Sequence, residues 1–490
     1  MTPEGVTIKY PDRVYIGGQW IAAHSGRMIE IVSPNSEQVV GAVAEADETD
    51  MDAAVAAARE AFDHGPWSRL SPAERGAAMM KMLAVLRTRE PELAKAWTAQ
   101  MGGLASIAGP MHMGANMTFE MIAKMADTFQ FVEKRPTQVA HTALIAYEAV
   151  GVVAAIAPWN GPYGIMSSKL AYALVAGCTI VMKPSPETPL EAYILAEAAD
   201  AAGIPPGVIN LVCGHREASD HLVCNPGVDK VSFTGSTVAG KRIGSVCGER
   251  IARCTLELGG KSAAIVRDDF TTEQTAKLLA NTITMLSGQV CAMLSRVIVP
   301  RKRHDEIAEA IAVEMKKTVI GHSDDPTTQL GPLAMKRQLD RVEMYIDEGK
   351  RTADLICGGG RPAHMNQGYF IEPTLFANVK NDSRIAQEEI FGPVLSLIPC
   401  EDEADAIRIA NDSNYGLSGA VLTHDVEAAY RMARQVRTGG FGQNGLRLDL
   451  GLPFGGVKQS GMGREGGTEG LLAHLESKTI LLDATPAGFA

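Results

Sequence analysis

The chain has 490 residues, 46% hydrophobic and 21% charged, with a formal net charge of -11. That length can bury more than one core and fits two or three domains, while the acidic balance excludes a general binder of nucleic acid or anionic membrane, since both need clustered Lys and Arg. Small-molecule substrates remain open.

The start, MTPEGVTIKYPDRVYIGGQW, has acids and prolines in place of a basic stretch and an apolar run, so no secretory signal is expected. No apolar run approaches the roughly 20 residues of a membrane helix. The 8 cysteines are scattered without a C-x-x-C pair or a Cys/His tetrad, which disfavours disulfides and structural zinc and points to a reducing cytoplasm. No metal is expected, and the sequons at Asn116, Asn381 and Asn411 are read as chance.

In chain order, the first part reads as helical: MDAAVAAAREAFD, then SPAERGAAMMKMLAVLRTRE with Ser71 as cap and Pro72 at the first helical position. From Val150 the texture changes to buried-type strands, VGVVAAIAP, CTIVMKP, GVINLVC, KVSFTG and TLELGG. Helix-like GIMSSKLAYALVA, PLEAYILAEAADAAG and STVAGKRIGSVCGERI lie between them, the βαβ rhythm of a parallel doubly wound sheet. A second α/β series follows Gly260, with a helix before GQVCAMLSR, the strand SRVIVP, the helix RHDEIAEAIAVEMKK and the strand IFGPVLSLIPC. Two alternating runs far apart, HTALIAYEAVG and HLESKTILLD, are expected to pair into an interdomain or intersubunit arm.

KVSFTGSTVAGKRIG is one residue short of the phosphate loop of nucleotide hydrolases, because Arg242 stands where Ser or Thr would bind magnesium. Gly235 and Ser236 then sit between a strand end and a helix start, where free amides and the helix dipole attract phosphate without metal chemistry. A glycine needed only for tight packing is the bland alternative. The match GMGREG at 461–466 follows no predicted strand and opens no clear helix, so it fails as a dinucleotide fingerprint.

Three stretches supply complementary chemistry. GQVCAMLSR presents Cys291 after a glycine-containing turn, LELGGK places Glu257 at a strand end, and IAPWNGP places Asn160 after a buried-type strand. Taken singly, a thiol is usually a small hydrophobe, a strand-end carboxylate is usually solvated, and an Asn before a helix usually caps it. Together they are what oxidation of an aldehyde requires. A carbonyl gives up hydride only once a nucleophile has made it tetrahedral, so a thiolate is wanted, its usual pKa of about 8.5 lowered by its surroundings. An Asn amide and a backbone N–H stabilise the oxyanion, each by roughly 2.7 to 4 kcal/mol in comparable sites. A carboxylate then activates water to release the acid from the thioester.

With these residues in view, the chain resembles the NAD(P)-dependent aldehyde dehydrogenase superfamily over nearly its full length: IAPWN, KPSPETP, FTGS, LELGGKS, GQVC, EEIFGP, NYGLSG and PFGGVKQSGMGRE arrive in the family's order. The resemblance implies Cys291 as nucleophile, Glu257 as general base, Asn160 with the Cys291 amide as oxyanion donors, and Lys169 in support. It implies cofactor contacts at Ile156, Trp159, Lys183, Ser185, Pro186, Gly214, Phe233, Gly235, Ser236, Leu258, Glu389 and Phe391. The phosphate at the Gly235 turn is then the cofactor's pyrophosphate, and Lys241 and Arg242 are solvated helix charges. The fold implied is α/β, with a Rossmann-type cofactor domain over 1–129 and 150–259, rejoined by 448–469, a catalytic domain over 260–447, and an oligomerisation arm over 130–149 and 470–490. A homodimer or homotetramer is expected, with no nucleic-acid or membrane partner.

Departures from the family sharpen these expectations. Pro186 stands where many NAD-preferring relatives place a ribose-clamping Glu, with Glu187 next door. Losing that carboxylate removes a barrier to a 2′-phosphate, which Lys183 and Ser185 could meet. NAD is expected, with NADP use left open. Gly161 and Ser168 replace bulky aromatics, so the substrate is expected to be a medium or large aldehyde unless Tyr163, Met285 or the LRLDLGL loop refills the tunnel. Arg447 in that loop either greets an acidic substrate tail or pairs with Asp449. The rivals are an acylating enzyme that passes the thioester to coenzyme A, which Glu257 disfavours, a silent structural or binding homologue, and a magnesium-dependent hydrolase.

Overall fold

The computed structural model describes residues 2–489. Its first sheet runs, edge to edge, Gly461–Met462, Arg253–Glu257, Lys230–Thr234, Val152–Ile156, Thr179–Lys183, Ile209–Leu211, Arg13–Ile16 and Gln19–Ala22. The strands from Arg253–Glu257 through Ile209–Leu211 are parallel to one another. Read from Ile209–Leu211 inward they follow the doubly wound order 3-2-1-4-5, with the switch between Val152–Ile156 and Lys230–Thr234. Helices cover both faces, which is why strands such as VVAAI and TIVMK are buried at every residue.

The second sheet runs Asp354–Cys357, Thr374–Ala377, Val394–Cys400, Leu294–Pro300, Ser262–Val266, Gly419–Leu422 and Gly442–Gln443, parallel except for the first strand. From Val394–Cys400 onward the same order recurs, so the chain builds two doubly wound sheets one after the other. Helix starts carry the expected chemistry. Ser71 and Glu74 make a reciprocal capping box with Pro72 at the first position, and Thr271 with Gln274 does the same for Thr272–Thr284.

The two distant alternating runs do pair: Leu475–Leu482 lies antiparallel to Thr142–Ala149, in register from Leu475↔Ala149 to Leu482↔Thr142, and Val132–Arg135 flanks the other side. Two expectations are corrected. The amino-terminal part is not simply helical, because strands Arg13–Ile16, Gln19–Ala22, Met28–Val32 and Val39–Ala44 precede the helix Glu48–Asp63. Gly17 at φ 61 and Gly18 at φ 79 close a tight two-residue hairpin between the first two, the conformation that glycine pairs favour. The second correction is at GMGREG, where Gly461–Met462 is a short edge strand antiparallel to Leu256–Glu257, and a helix, Gly467–Leu472, follows. It lies at the sheet margin and begins no parallel crossover.

Helix Ala105–Thr128 and helix Leu190–Ala201 are tied by a buried pair. His112 Nε2 lies 2.7 Å from Glu191 Oε1, with side chains 4% and 0% exposed, and Gln100 Nε2 donates to the other Glu191 oxygen at 3.1 Å. Removing one partner of such a pair leaves the other uncompensated in low dielectric. His112→Ala is expected to cost about 3–5 kcal/mol, and His112→Ala with Glu191→Leu to regain much of it; thermal unfolding followed by circular dichroism ranks them, and a single variant no less stable than the double would contradict the pairing.

Candidate active site

Loops at the carboxyl ends of the first sheet face loops at the amino ends of the second across a cavity of about 310 Å³. The first sheet contributes Trp159, Asn160, Gly235, Ser236, Glu257 and Leu258; the second contributes Cys291, Glu389 and Phe391. This is the crevice outside the strand ends where doubly wound sheets bind ligands.

Cys291 is presented by a strained turn. Leu286 (φ 48), Ser287 (φ 56) and Gly288 (φ 74) are consecutively left-handed, which costs the two non-glycine residues about 1–3 kcal/mol each. The surroundings hold it in place: Ser287 Oγ donates to Gly331 O at 2.8 Å, and Gln289 Nε2 donates to Leu286 O at 3.0 Å. The amide of Ala334 donates to Gln289 Oε1 at 2.9 Å. A Cβ on Gly288 would fall 2.2 Å from Gly392 O, so only glycine fits there.

Asn160 does not cap the helix Pro162–Ala176; Gly161 is the cap residue, and no side chain bonds there. Asn160 Nδ2 instead donates to Gln289 O at 2.9 Å, which fastens the amide to the turn that carries the thiol. Glu257 is not a solvated strand end either. It is 2% exposed, and neither carboxyl oxygen has a hydrogen-bond partner. Burial, with nearby Glu465, pushes its pKa up to about 9 against the opposing pull of Lys169 and Arg464.

Lys169 does not line the cavity. Buried to 2% exposure, it donates to Ser232 Oγ at 3.1 Å and to the Glu465 carboxylate. Glu465 was missed as a site residue. The signal was its place in the quoted block PFGGVKQSGMGRE, but a carboxylate there reads as solvated until the strand Gly461–Met462 brings the segment alongside Glu257.

The expectation of a low thiol pKa is contradicted for the free protein. Burial first, then Glu389 and Glu257, push Cys291 up to about 12, against the backbone amides of Ala292 and Cys291. Those same amides make the thiol's surroundings a place for a developing oxyanion.

The expected cofactor residues divide into two groups. Gly235, Ser236, Leu258, Trp159, Glu389 and Phe391 line the cavity. Ser236 caps the helix Thr237–Arg250 by accepting from the Ala239 amide at 3.3 Å, while the Gly235 amide is taken by Glu257 O at 3.0 Å, so anion binding falls to the helix start beyond Gly235. Glu389 Oε1 accepts from the Gly260 amide at 3.0 Å, and burial raises its pKa to about 7. Trp159 and Phe391 meet edge to face with ring centroids 5.3 Å apart.

Ile156, Lys183, Ser185, Pro186, Gly214 and Phe233 lie outside this lining. Lys183 ends its strand, the Ser185 hydroxyl donates to Glu187, a Cβ on Gly235 would meet the Phe233 ring, and a Cβ on Gly214 would fall 2.7 Å from Ala46 O. The donor set, the close approach at Gly235 and Gly259, and the free helix start suit a dinucleotide laid across the strand ends.

The remaining expectations resolve as follows. Arg242 pairs with Asp220 at 3.0 Å on the exposed helix face. Arg447 Nε faces Gln443 O at 3.4 Å, and Asp449 accepts from the Gly451 amide at 2.8 Å, so the Arg447–Asp449 pair does not form. Tyr163 is buried with its hydroxyl on Asn116 at 2.5 Å, which engages that sequon in the core, and it does not line the cavity. Alkylation of Cys291 by iodoacetamide in the free protein is expected to keep accelerating beyond about pH 10, since thiolate sets the rate; peptide mass spectrometry reads it, and a plateau near about pH 8 would contradict the raised pKa.

A family model described as the Aldehyde dehydrogenase family matches residues 20–480. The chain is 43% identical to a geranial dehydrogenase of Castellaniella defragrans over 96% of this chain and 98% of that one. Its fold matches a Mycobacterium tuberculosis aldehyde dehydrogenase complexed with NAD+ at TM-score 0.95 and 42% identity, covering 99% of this chain and 100% of that one. It also matches a mutant aldehyde dehydrogenase C of Pseudomonas syringae, complexed with NAD+ and octanal, at TM-score 0.94 and 36% identity, covering 98% and 99%. With a matched span that runs through both sheets and the cavity between them, the chain belongs to the aldehyde dehydrogenase family.

Proposed function

We propose that the chain oxidises medium to large apolar aldehydes to carboxylic acids with NAD, through Cys291 as nucleophile. The observation that carries this reading is the convergence of Cys291, Asn160 and Glu257 on one cavity with Trp159, Glu389 and Phe391. When bound, the nicotinamide accepts a hydride and places positive charge beside the thiol. The Cys291 sulfur adds to the aldehyde carbon as the thiol gives up its proton to solvent water. The oxyanion is stabilised by the Asn160 side-chain amide and the Cys291 backbone N–H. Loss of hydride from that carbon leaves a thioester on Cys291. Glu257 in its ionised form takes a proton from water as the water adds to the thioester carbon, and the carbon–sulfur bond breaks so that the acid leaves with the thiolate restored. Lys169 acts through Glu465, setting the charge that Glu257 feels.

We assign a cofactor unit over 1–129, 150–259 and 448–469, a catalytic unit over 260–447 and an arm over 130–149 and 470–490, a division that the grouping of strands into sheets supports. We assign NAD with NADP also accepted, and a homodimer or homotetramer formed through the arm's open edges.

The aldehyde class is supported by the space around Gly161, where the nearest neighbour to an added Cβ is Ile165 Cδ1 at 3.4 Å. Exposed apolar side chains supply a further support. Met113 and Met117 stand on helix Ala105–Thr128, whose Met121 approaches Gly451 in the loop bearing Leu448, Leu450 and Leu452. Thioethers adapt to chain-like ligands. The relatives named for geranial and solved with octanal agree with this class.

A panel of aldehydes followed by reduced nicotinamide absorbance is expected to give kcat/KM for octanal or geranial at least roughly tenfold above acetaldehyde; acetaldehyde preference would refute the wide tunnel. Because Glu257 loses its base form as pH falls through about 9, kcat limited by acid release is expected to rise toward that pH, and a flat profile would remove Glu257 as the base.

A further inference from the structure

In doubly wound folds the carboxyl end of the second strand faces the adenosine ribose, where an acid receives the ribose hydroxyls or an Arg accommodates a 2′-phosphate. Here that strand is Thr179–Lys183, and the chain leaves it through Pro184, Ser185, Pro186 and Glu187. The turn is closed by the Thr188 amide donating to Ser185 O at 3.1 Å. Glu187 has one carboxylate oxygen on the Ser185 hydroxyl and the other 2.6 Å from Arg337 Nη1. Arg337 belongs to a different part of the molecule, the helix Lys336–Thr352, whose Gln338 and Arg341 line the cofactor cavity. The ion pair therefore bridges the two sheets' units at the carboxyl end of that strand.

The two partners differ in burial. Glu187 is 20% exposed and Arg337 is 65% exposed. Although burial opposes ionisation, Arg337 and Ser185 outweigh it and hold Glu187 below the usual carboxylate range. An arginine so open to water adds little stability through its pair, and exchanging that partner for another anion costs correspondingly little. The guanidinium is also suited to bidentate contact with phosphate.

We propose that Glu187 and Arg337 form a cofactor-selecting latch across the cleft: Glu187 receives the adenosine ribose hydroxyls of NAD, and Arg337 leaves Glu187 to receive the 2′-phosphate of NADP. This rests on the dehydrogenase reading and deepens it, giving one pair of residues a part in accepting either cofactor. Pro186, which removes the carboxylate expected at its own position, leaves Glu187 as the acid available at this strand end.

Isothermal titration of NAD and NADP into the full-length wild type, Glu187→Gln and Arg337→Ala, each checked for folding by circular dichroism, tests the latch. Glu187→Gln is expected to weaken NAD by about tenfold and to leave NADP unchanged or tighter, the scale of a lost charge-assisted hydrogen bond. Arg337→Ala is expected to weaken NADP by about tenfold with NAD altered much less. If both variants bind both cofactors with the wild-type ratio, the latch is overturned while the dehydrogenase reading stands. If the wild type binds neither dinucleotide, the reading beneath it fails as well.

Discussion

The chain passes directly from its first sheet to its second through Leu258, Gly259, Gly260 and Lys261, and this short passage brings Glu257, Cys291 and Glu389 close together. Glu257 ends a strand of the first sheet, and Ser262 begins a strand of the second. No side chain can occupy the middle of the passage. A Cβ on Gly259 would lie 2.3 Å from Glu389 Oε2, and one on Gly260 would lie 2.4 Å from Cys291 O. The two glycines thus let the proposed base, the proposed nucleophile and Glu389 close around one short connection. The cavity is the space this closure leaves, open toward the carboxyl ends of one sheet and the amino ends of the other.

Electrostatics in that space favour a resting state. Burial raises the Cys291 thiol, Glu257 and Glu389 together, to about 12, 9 and 7. Anionic neighbours reinforce the effect at Cys291 and Glu257, so both groups are held toward their neutral forms near neutral pH. A thiol held neutral is a poor nucleophile toward stray electrophiles. The positive charge of an oxidised nicotinamide has the sign needed to reverse this, which links readiness of the thiol to cofactor binding. Deprotonation of Glu257 opposes thiolate formation, so an ionised Glu257 suits the proposed water-adding step and not thiol activation.

The fold was legible where local chemistry and packing agree. Strands such as VVAAI and TIVMK show the continuous apolar run of buried parallel sheet, Ser71 and Pro72 mark a helix start, and Thr142–Ala149 and Leu475–Leu482 share the alternation that let them be paired at a distance. The hairpin at Gly17 and Gly18 is also written in the glycine pair, but its flanking strands of four residues each are too short to show a clear alternation. Cys291, Asn160 and Glu257 were recognisable as residue types with complementary chemistry. Glu465 and Arg337 were not, because a charged residue on a loop or helix looks solvated until a distant segment packs against it. The Glu257 burial and the raised Cys291 pKa likewise belong to the assembled cleft and to no single stretch of chain.

The central claim is that Cys291 takes the acyl group and Glu257 frees it. Rapid mixing of the Glu257→Gln protein with NAD and octanal, with intact-protein and peptide mass spectrometry of the quenched sample, tests it directly. The account predicts a burst of reduced nicotinamide close to one equivalent per Cys291, then a near halt, with an octanoyl adduct accumulating on the Cys291 peptide. Steady turnover at the wild-type rate, or a burst that leaves the Cys291 peptide unmodified, would contradict it.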